Sequence, residues 1–159
     1  QKGHLTVVTK LIAAGADVDK ATTTSGSTPL YMAAQEGHTA IVSKLLQHGA
    51  DKSIRGWRNR TPLDVDKANT NGATPLYIAA QNGHLTVVTK LIAAGADVNK
   101  ATTDDGSTPL YIAAHEGRTA VVSKLLQHGA DKSVSGWHNE TPLEAAQRNS
   151  HAAIVALLT

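Results

Sequence analysis

The eight histidines are the residues of this 159-residue chain best suited to metal binding or acid–base chemistry. Zinc sites usually combine His with Cys or with a second His three to five residues away, and the chain contains no cysteine. His115 and His138 have no partner at such a spacing. No phosphate-binding glycine loop or nucleophile elbow occurs either. We therefore expect no enzyme, no metal site and no cofactor.

The other six histidines stand at recurring positions. Four lie in a Gly-His turn or its Ser-His equivalent, namely His4, His38, His84 and His151. The other two, His48 and His128, lie in the expected last turn of a helix, where the helix dipole favours positive charge. Their positions indicate a structural role.

The composition suits thin stacked layers more than one thick core. Hydrophobic residues make up 41% of the chain, with no phenylalanine, three tyrosines and two tryptophans, so the core consists mainly of Ala, Leu, Val and Ile. The longest apolar stretches reach about half a membrane span, and we expect no membrane segment. The lack of a signal-peptide pattern and of cysteine favours an intracellular location.

The tripeptide Thr-Pro-Leu occurs five times, and its spacing reveals a repeat. Successive copies are 33, 13, 34 and 33 residues apart, with their threonines at Thr28, Thr61, Thr74, Thr108 and Thr141. A period near 33 is typical of an array whose units bury their apolar faces only against their neighbours.

Within one unit the pattern predicts two short helices and a polar tip. Thr28 can cap a helix that begins at Pro29, and Gly37 suits its end. A second helix follows and ends near Gly49, and residues 50–60 are polar and rich in turn formers. The apolar residues recur at helical spacing, at Leu30, Ala33 and Ala34 and then at Ile41, Val42, Leu45 and Leu46.

The same pattern recurs at residues 74–95 and 108–129, and a last helix pair is expected at 141–158. One unit contains Thr74-Pro75-Leu76-Tyr77-Ile78-Ala79-Ala80, Gly83-His84-Leu85, Leu91-Ile92 and Gly95-Ala96-Asp97-Val98-Asn99. This pattern closely resembles the ankyrin repeat. The resemblance implies an all-α solenoid of stacked helix-turn-helix units with hairpin-like tips, and a role in binding proteins.

The chain departs from that family at one repeated position. Tyr31, Tyr77 and Tyr111 stand where the family usually has His. The family's His commonly makes a hydrogen bond between repeats, and a phenol hydroxyl can replace it.

The repeat that opens at Thr61 breaks off after Leu63. The next residues, 64–68, match the end of a unit, so about 20 residues of the expected period are missing. A real deletion, an engineered or recombined junction, and residues absent from the recorded sequence all explain this, and a short helix over residues 62–69 is a further alternative. We predict two ankyrin blocks, 1–63 and 64–159, in one continuous solenoid.

Residues 1–63 and 81–143 are two copies of one block, aligned at a constant offset of 80 positions. They differ at twelve positions, three of which are aliphatic exchanges that roughly conserve volume. Seven differences fall where ankyrin proteins bind partners, at the tips and the exposed end of the first helix. These are Lys2/Asn82, Thr24/Asp104, Ser25/Asp105, Gln35/His115, Arg55/Ser135, Arg58/His138 and Arg60/Glu140. The pattern indicates a constant stack with a diverged face, and neutral drift of a solvated surface is the alternative.

The charge changes at those positions run in one direction. The first copy has a basic tip, formed by Arg55, Arg58 and Arg60. The second copy has acidic residues at its tips, namely Asp104, Asp105 and Glu140. The net charge of +2 conceals this gradient. Such a surface can orient a charged partner and speed its approach.

The two tryptophans occupy equivalent tip positions. Trp57 and Trp137 each precede a repeat threonine by four residues. Tryptophan is enriched among binding hot spots, which favours a role as an anchor for a partner. Alternatively, each indole covers the adjacent tip and stiffens it.

We predict that the chain binds a protein or peptide, and not nucleic acid, through its tips and first helices. The candidate binding residues are Gln35, Glu36, Arg55, Trp57, Arg58, Arg60, Gln81, Asn82, Asp104, Asp105, His115, Glu116, Trp137, His138 and Glu140. The alternative is a structural segment that self-associates through its basic and acidic tips or its exposed repeat ends.

Overall fold

The computed structural model describes residues 4–54 and 72–159 of the chain. Within these ranges the chain forms nine α-helices and one 3-10 turn, Trp137–Asn139. The helices are α1 (Leu5–Ala13), α2 (Pro29–Gln35), α3 (Thr39–Gln47), α4 (Pro75–Asn82), α5 (Leu85–Ala93), α6 (Pro109–His115), α7 (Thr119–Gln127), α8 (Pro142–Arg148) and α9 (Ala152–Leu158).

The even-numbered helices all begin in the same way. A threonine precedes each helix, its side chain accepts a hydrogen bond from the backbone N–H three residues on, and proline fills the first helical position. Such caps contribute about 1 kcal/mol each. At α8 the side chain of Glu144 also accepts a hydrogen bond from the Thr141 backbone N–H, at 2.7 Å. The Thr141 backbone and hydroxyl donors hold the pKa of Glu144 below its usual value.

The helices stack in two layers with the core between them. Helices α2, α4, α6 and α8 contact one another in sequence, and α1, α3, α5, α7 and α9 form the second layer in the same way. Leu30, Leu76 and Leu110 of the first layer and Val88 and Val122 of the second are completely buried. The expectation of an all-α solenoid of stacked helix pairs is confirmed.

The first described pairs stack without interruption, since α2 packs on α4 and α3 packs on α5. The junction between Leu63 and Asp64 lies outside the described residues, as does the alternative helix over residues 62–69. The division into blocks 1–63 and 64–159 therefore stays a prediction.

Helices α1 and α5 have the same nine-residue sequence, so they report what the neighbours contribute. Val87 and Leu91 of α5 are at most 1% exposed, because α3, α4 and α7 pack around that helix. The equivalent Val7 and Leu11 of α1 are 53% and 54% exposed. Burial of the same side chains thus depends on a neighbouring helix pair.

A second link between units is a hydrogen bond from the residue that follows Gly83, Gly117 or Ser150. Its side chain donates to a backbone carbonyl at the end of the first helix of the preceding unit. The pairs are His84 Nε2 to the Gln35 carbonyl at 3.0 Å, Arg118 Nε to that of Gln81 at 3.0 Å, and His151 Nε2 to that of His115 at 3.1 Å. Because a carbonyl accepts, Nε2 of both histidines carries the proton.

Glycine is required at these turns for two reasons. Gly117 has a φ of 71°, and a Cβ built there would lie 2.7 Å from the His151 ring. Gly129 has a φ of 79° and nothing within 4 Å of such a Cβ. Gly117 therefore provides both a left-handed backbone conformation and space for the His151 ring, whereas Gly129 provides only the left-handed conformation.

We expect Gly117→Ala to destabilise the protein by about 1 kcal/mol more than Gly129→Ala. Both substitutions strain a left-handed residue by about 1 kcal/mol. Only the first displaces His151 and removes its hydrogen bond, which contributes about 0.5–1.5 kcal/mol. Urea unfolding followed by circular dichroism measures both values, and equal losses would contradict the inferred role of this hydrogen bond.

Candidate functional site

A groove of about 580 Å³ lies between the tip before α6 and the 3-10 turn before α8. We call it the Trp137 groove. Its lining combines residues of two tips and two helices: Tyr77, Asp104, Asp105, Ser107, Tyr111, Ile112, His115 and Trp137. Four of these eight are candidate residues predicted from the sequence, and the fold brings these four together from positions up to 33 residues apart.

The first wall of the groove is the tip before α6, and hydrogen bonds to Asp105 hold its shape. The Thr102 hydroxyl donates to Asp105 Oδ1 at 2.6 Å, and the Ser107 backbone N–H donates to the same oxygen at 3.0 Å. Asp104 is exposed beside them. In the first copy the hydroxyl groups of Thr22 and Ser25 are 2.6 Å apart at the equivalent place. The exchange of Ser for Asp thus preserves this tip hydrogen bond and adds a negative charge.

The opposite wall is the 3-10 turn, which is tied to the preceding unit through its backbone. The Trp137 N–H donates to Ser107 Oγ at 3.2 Å, and the Tyr111 hydroxyl donates to the Trp137 carbonyl at 3.1 Å. At Tyr111 the phenol hydroxyl therefore makes a hydrogen bond between repeats. Gly136 permits the close approach, because a Cβ there would lie 2.7 Å from the Tyr111 ring.

The indole of Trp137 is held on the turn and is still 48% exposed. The centroid of the His138 ring lies 4.0 Å from that of the indole, and the Arg148 guanidinium carbon lies 5.9 Å from the indole centroid. Arg148 also forms an ion pair with Glu140, with Nη2 2.9 Å and Nε 3.1 Å from Oε2. The ring therefore has the neighbours expected of a tip stiffener and the exposure expected of an anchor.

The electrostatics of the groove are reflected at Tyr111. Burial raises the pKa of its hydroxyl, and the negative charges of Glu140 and Asp105 raise it further, while the positive charge of Arg148 opposes them. Carboxylates on both walls therefore act on a group that lines the groove.

A family model described as ankyrin repeats (3 copies) matches residues 1–102 and 99–159. The chain belongs to the ankyrin repeat family. No curated protein matches the chain significantly. Ankyrin repeats are generally protein–protein interaction modules, and the family is typically non-catalytic.

Other candidate residues lie at the ends of α2 and α4. Asn82 Nδ2 donates to the Gln35 carbonyl at 3.1 Å, and Gln35 Nε2 lies 3.5 Å from Glu36 Oε1. Gln81 supplies the carbonyl that Arg118 binds. The Asn82 side chain therefore supports the stack directly, as does the backbone of Gln35 and Gln81. None of these residues lines the Trp137 groove.

His115 and Glu116 stand at the end of α6. His115 lines the groove, and its ring stacks on Tyr111 with centroids 6.2 Å apart. Its Nδ1 lies 3.4 Å from Glu116 Oε1 without hydrogen-bond geometry. The basic tip predicted from Arg55, Arg58 and Arg60, together with Trp57, lies outside the described residues, so the charge gradient stays a prediction.

Sequence comparison of the two copies missed several groove residues. Ser107 and Tyr111 have identical counterparts in the first copy, Ser27 and Tyr31, so no difference pointed to them. Arg148, which contacts the Trp137 indole without lining the groove, lies beyond the duplicated block. The only sequence signal for Tyr111 was its place at the family's histidine position.

Within residues 4–54 and 72–159, no cluster of three or more His, Asp or Glu side chains could hold a metal ion. None of the helices in the same ranges has the length and apolar character needed to span a membrane.

Proposed function

We propose that these ankyrin repeats bind a protein or peptide partner and that the Trp137 groove is the centre of the contact. The observation that carries this proposal is the convergence of Asp104, Asp105, His115 and Trp137 on one groove. Three of these four stand where the duplicated blocks differ, while the helices beneath them are nearly unchanged. A variable surface on a constant stack is the arrangement expected of a recognition module.

The size and chemistry of the groove support the same conclusion. The groove volume of about 580 Å³ falls within the range typical of ligand clefts, and the exposed Trp137 indole offers contact area at low entropic cost. A half-exposed tryptophan next to buried tyrosines is typical of a hot spot that is completed when a partner covers it.

Trp137→Ala tests this function with peptides selected from a random display library against the wild-type protein. We expect their dissociation constants to rise by about tenfold or more, because truncating a hot-spot aromatic costs about 2 kcal/mol. The variant retains the backbone hydrogen bonds of residue 137 to Ser107 and Tyr111. Titration calorimetry measures the change.

Gln127→Ala is the matched control, since this exposed residue lies on α7 in the other helix layer. It should leave the affinities unchanged. A library that yields no binding peptide, or peptides that bind Trp137→Ala as tightly as the wild type, would contradict the proposal.

A second candidate function is self-association, which a different surface supports. Beside the exposed Val7 and Leu11 of α1 is an apolar groove of about 220 Å³ whose lining includes Val8, Met32 and Ile41. The identical residues of α5 are buried by neighbouring helices. A second copy of the chain could cover this face at the first described end of the stack. Association through the basic and acidic tips stays the other form of this candidate.

Sedimentation velocity distinguishes the two forms. Apolar association should persist at high salt and disappear in the double variant Val7→Thr/Leu11→Gln, whereas charge-driven association should weaken as salt screens the tips. Lys10→Gln, an exposed change on the same helix, is the control. A monomer at high protein concentration in both low and high salt would exclude this candidate.

A further inference from the structure

The Trp137 groove carries negative charge that the equivalent place in the first copy lacks. Asp104 and Asp105 line it, where the first copy has Thr24 and Ser25. Glu140, next to the 3-10 turn, stands where the first copy has an arginine. Burial is the main cause of the raised pKa of the Tyr111 hydroxyl, and the negative charges of Glu140 and Asp105 add to it. The groove therefore favours a positively charged group.

The lining also offers the aromatic faces that cations prefer. Tyr77, Tyr111 and Trp137 contribute to it, and the Trp137 indole is the exposed one. An arginine or lysine side chain is attracted to an aromatic face and packs its apolar stem against it, while a nearby carboxylate pairs with its charge. Carboxylates next to the exposed Trp137 indole thus match both parts of a basic side chain.

The molecule already shows this chemistry with a side chain of its own. The Arg148 guanidinium lies over the Trp137 ring at 5.9 Å and forms two close contacts with Glu140 Oε2, at 2.9 and 3.1 Å. A guanidinium is therefore accommodated at this ring, with a carboxylate completing its contacts. Asp104 and Asp105 stand on the opposite wall of the groove.

We propose that the Trp137 groove takes an arginine or lysine side chain of a bound peptide, with the Trp137 indole against its stem and Asp104 and Asp105 pairing with its charge. This inference rests on the proposed function and names the partner's chemistry. Thr102 and Ser107 orient Asp105 before the peptide arrives, so little side-chain entropy is lost on binding.

The first copy provides the variant that tests the carboxylates without disturbing the tip. Asp104→Thr/Asp105→Ser restores the residues found at Thr24 and Ser25, where the hydroxyls of Thr22 and Ser25 already make the equivalent contact at 2.6 Å. The backbone hydrogen bond from the Thr22 N–H to the Ser27 carbonyl matches that from Thr102 to Ser107 as well. We therefore expect the double variant to fold like the wild type.

The experiment uses the peptides selected against wild-type protein, each made in three forms. The selected basic residue is kept, exchanged between arginine and lysine, or replaced by citrulline, the neutral isostere of arginine. We expect the wild type to bind the citrulline form about tenfold or more weakly than the arginine form. For Asp104→Thr/Asp105→Ser, we expect the affinities for the same two forms to differ by less than about twofold. If the lysine form of a peptide binds the wild type more weakly than its arginine form, the contact is of the planar, guanidinium type.

Asp17→Asn is the control for net charge, because it removes a carboxylate from a distant tip and keeps an oxygen that can accept the Asp19 N–H. It should retain the full citrulline effect. Selected peptides that lack basic residues and still depend on Trp137 would overturn this inference and leave the proposed function standing. Peptides that bind independently of Trp137 would overturn both.

Discussion

Each helix pair of this protein can bury its apolar face only against another pair, and every other feature depends on that constraint. The same nine-residue sequence has Val87 and Leu91 buried in α5 and the equivalent Val7 and Leu11 half exposed in α1, so neighbours and not sequence decide their burial. Side chains such as His84 and His151 then fix the spacing by donating to carbonyls of the preceding unit. The contact made by His151 restricts residue 117 to glycine, since a methyl group there would occupy the space of the imidazole.

Because the stack fixes the helices, the tips are free to change their chemistry. At one tip Asp105 accepts the hydrogen bond that Ser25 shares with its threonine in the other copy, so a charge is added while the turn is kept. The Trp137 groove needs two adjacent tips at a defined distance, and the hydrogen bonds from Trp137 to Ser107 and from Tyr111 to Trp137 supply it. The proposed recognition site therefore lies at the interface between two units.

The fold could be predicted almost completely from local signals, because Thr-Pro starts and glycine turns act through contacts within a few residues. The candidate site could be predicted only in part. Differences between the copies identified Asp104 and Asp105, but Ser107 and Tyr111 do not differ between them and serve both the stack and the groove. Arg148 reaches the indole from α8 through a contact that only the packed structure reveals.

Amide hydrogen exchange of helices α1 and α5 tests most directly whether neighbouring pairs supply the stability of each unit. The two helices share one sequence, so their intrinsic exchange rates within the helix are the same and any difference comes from packing. The nearest-neighbour account predicts that the amides of α5 exchange at least about tenfold more slowly than those of α1. Equal protection in both helices would contradict it, because stability would then reside in the helix sequence itself.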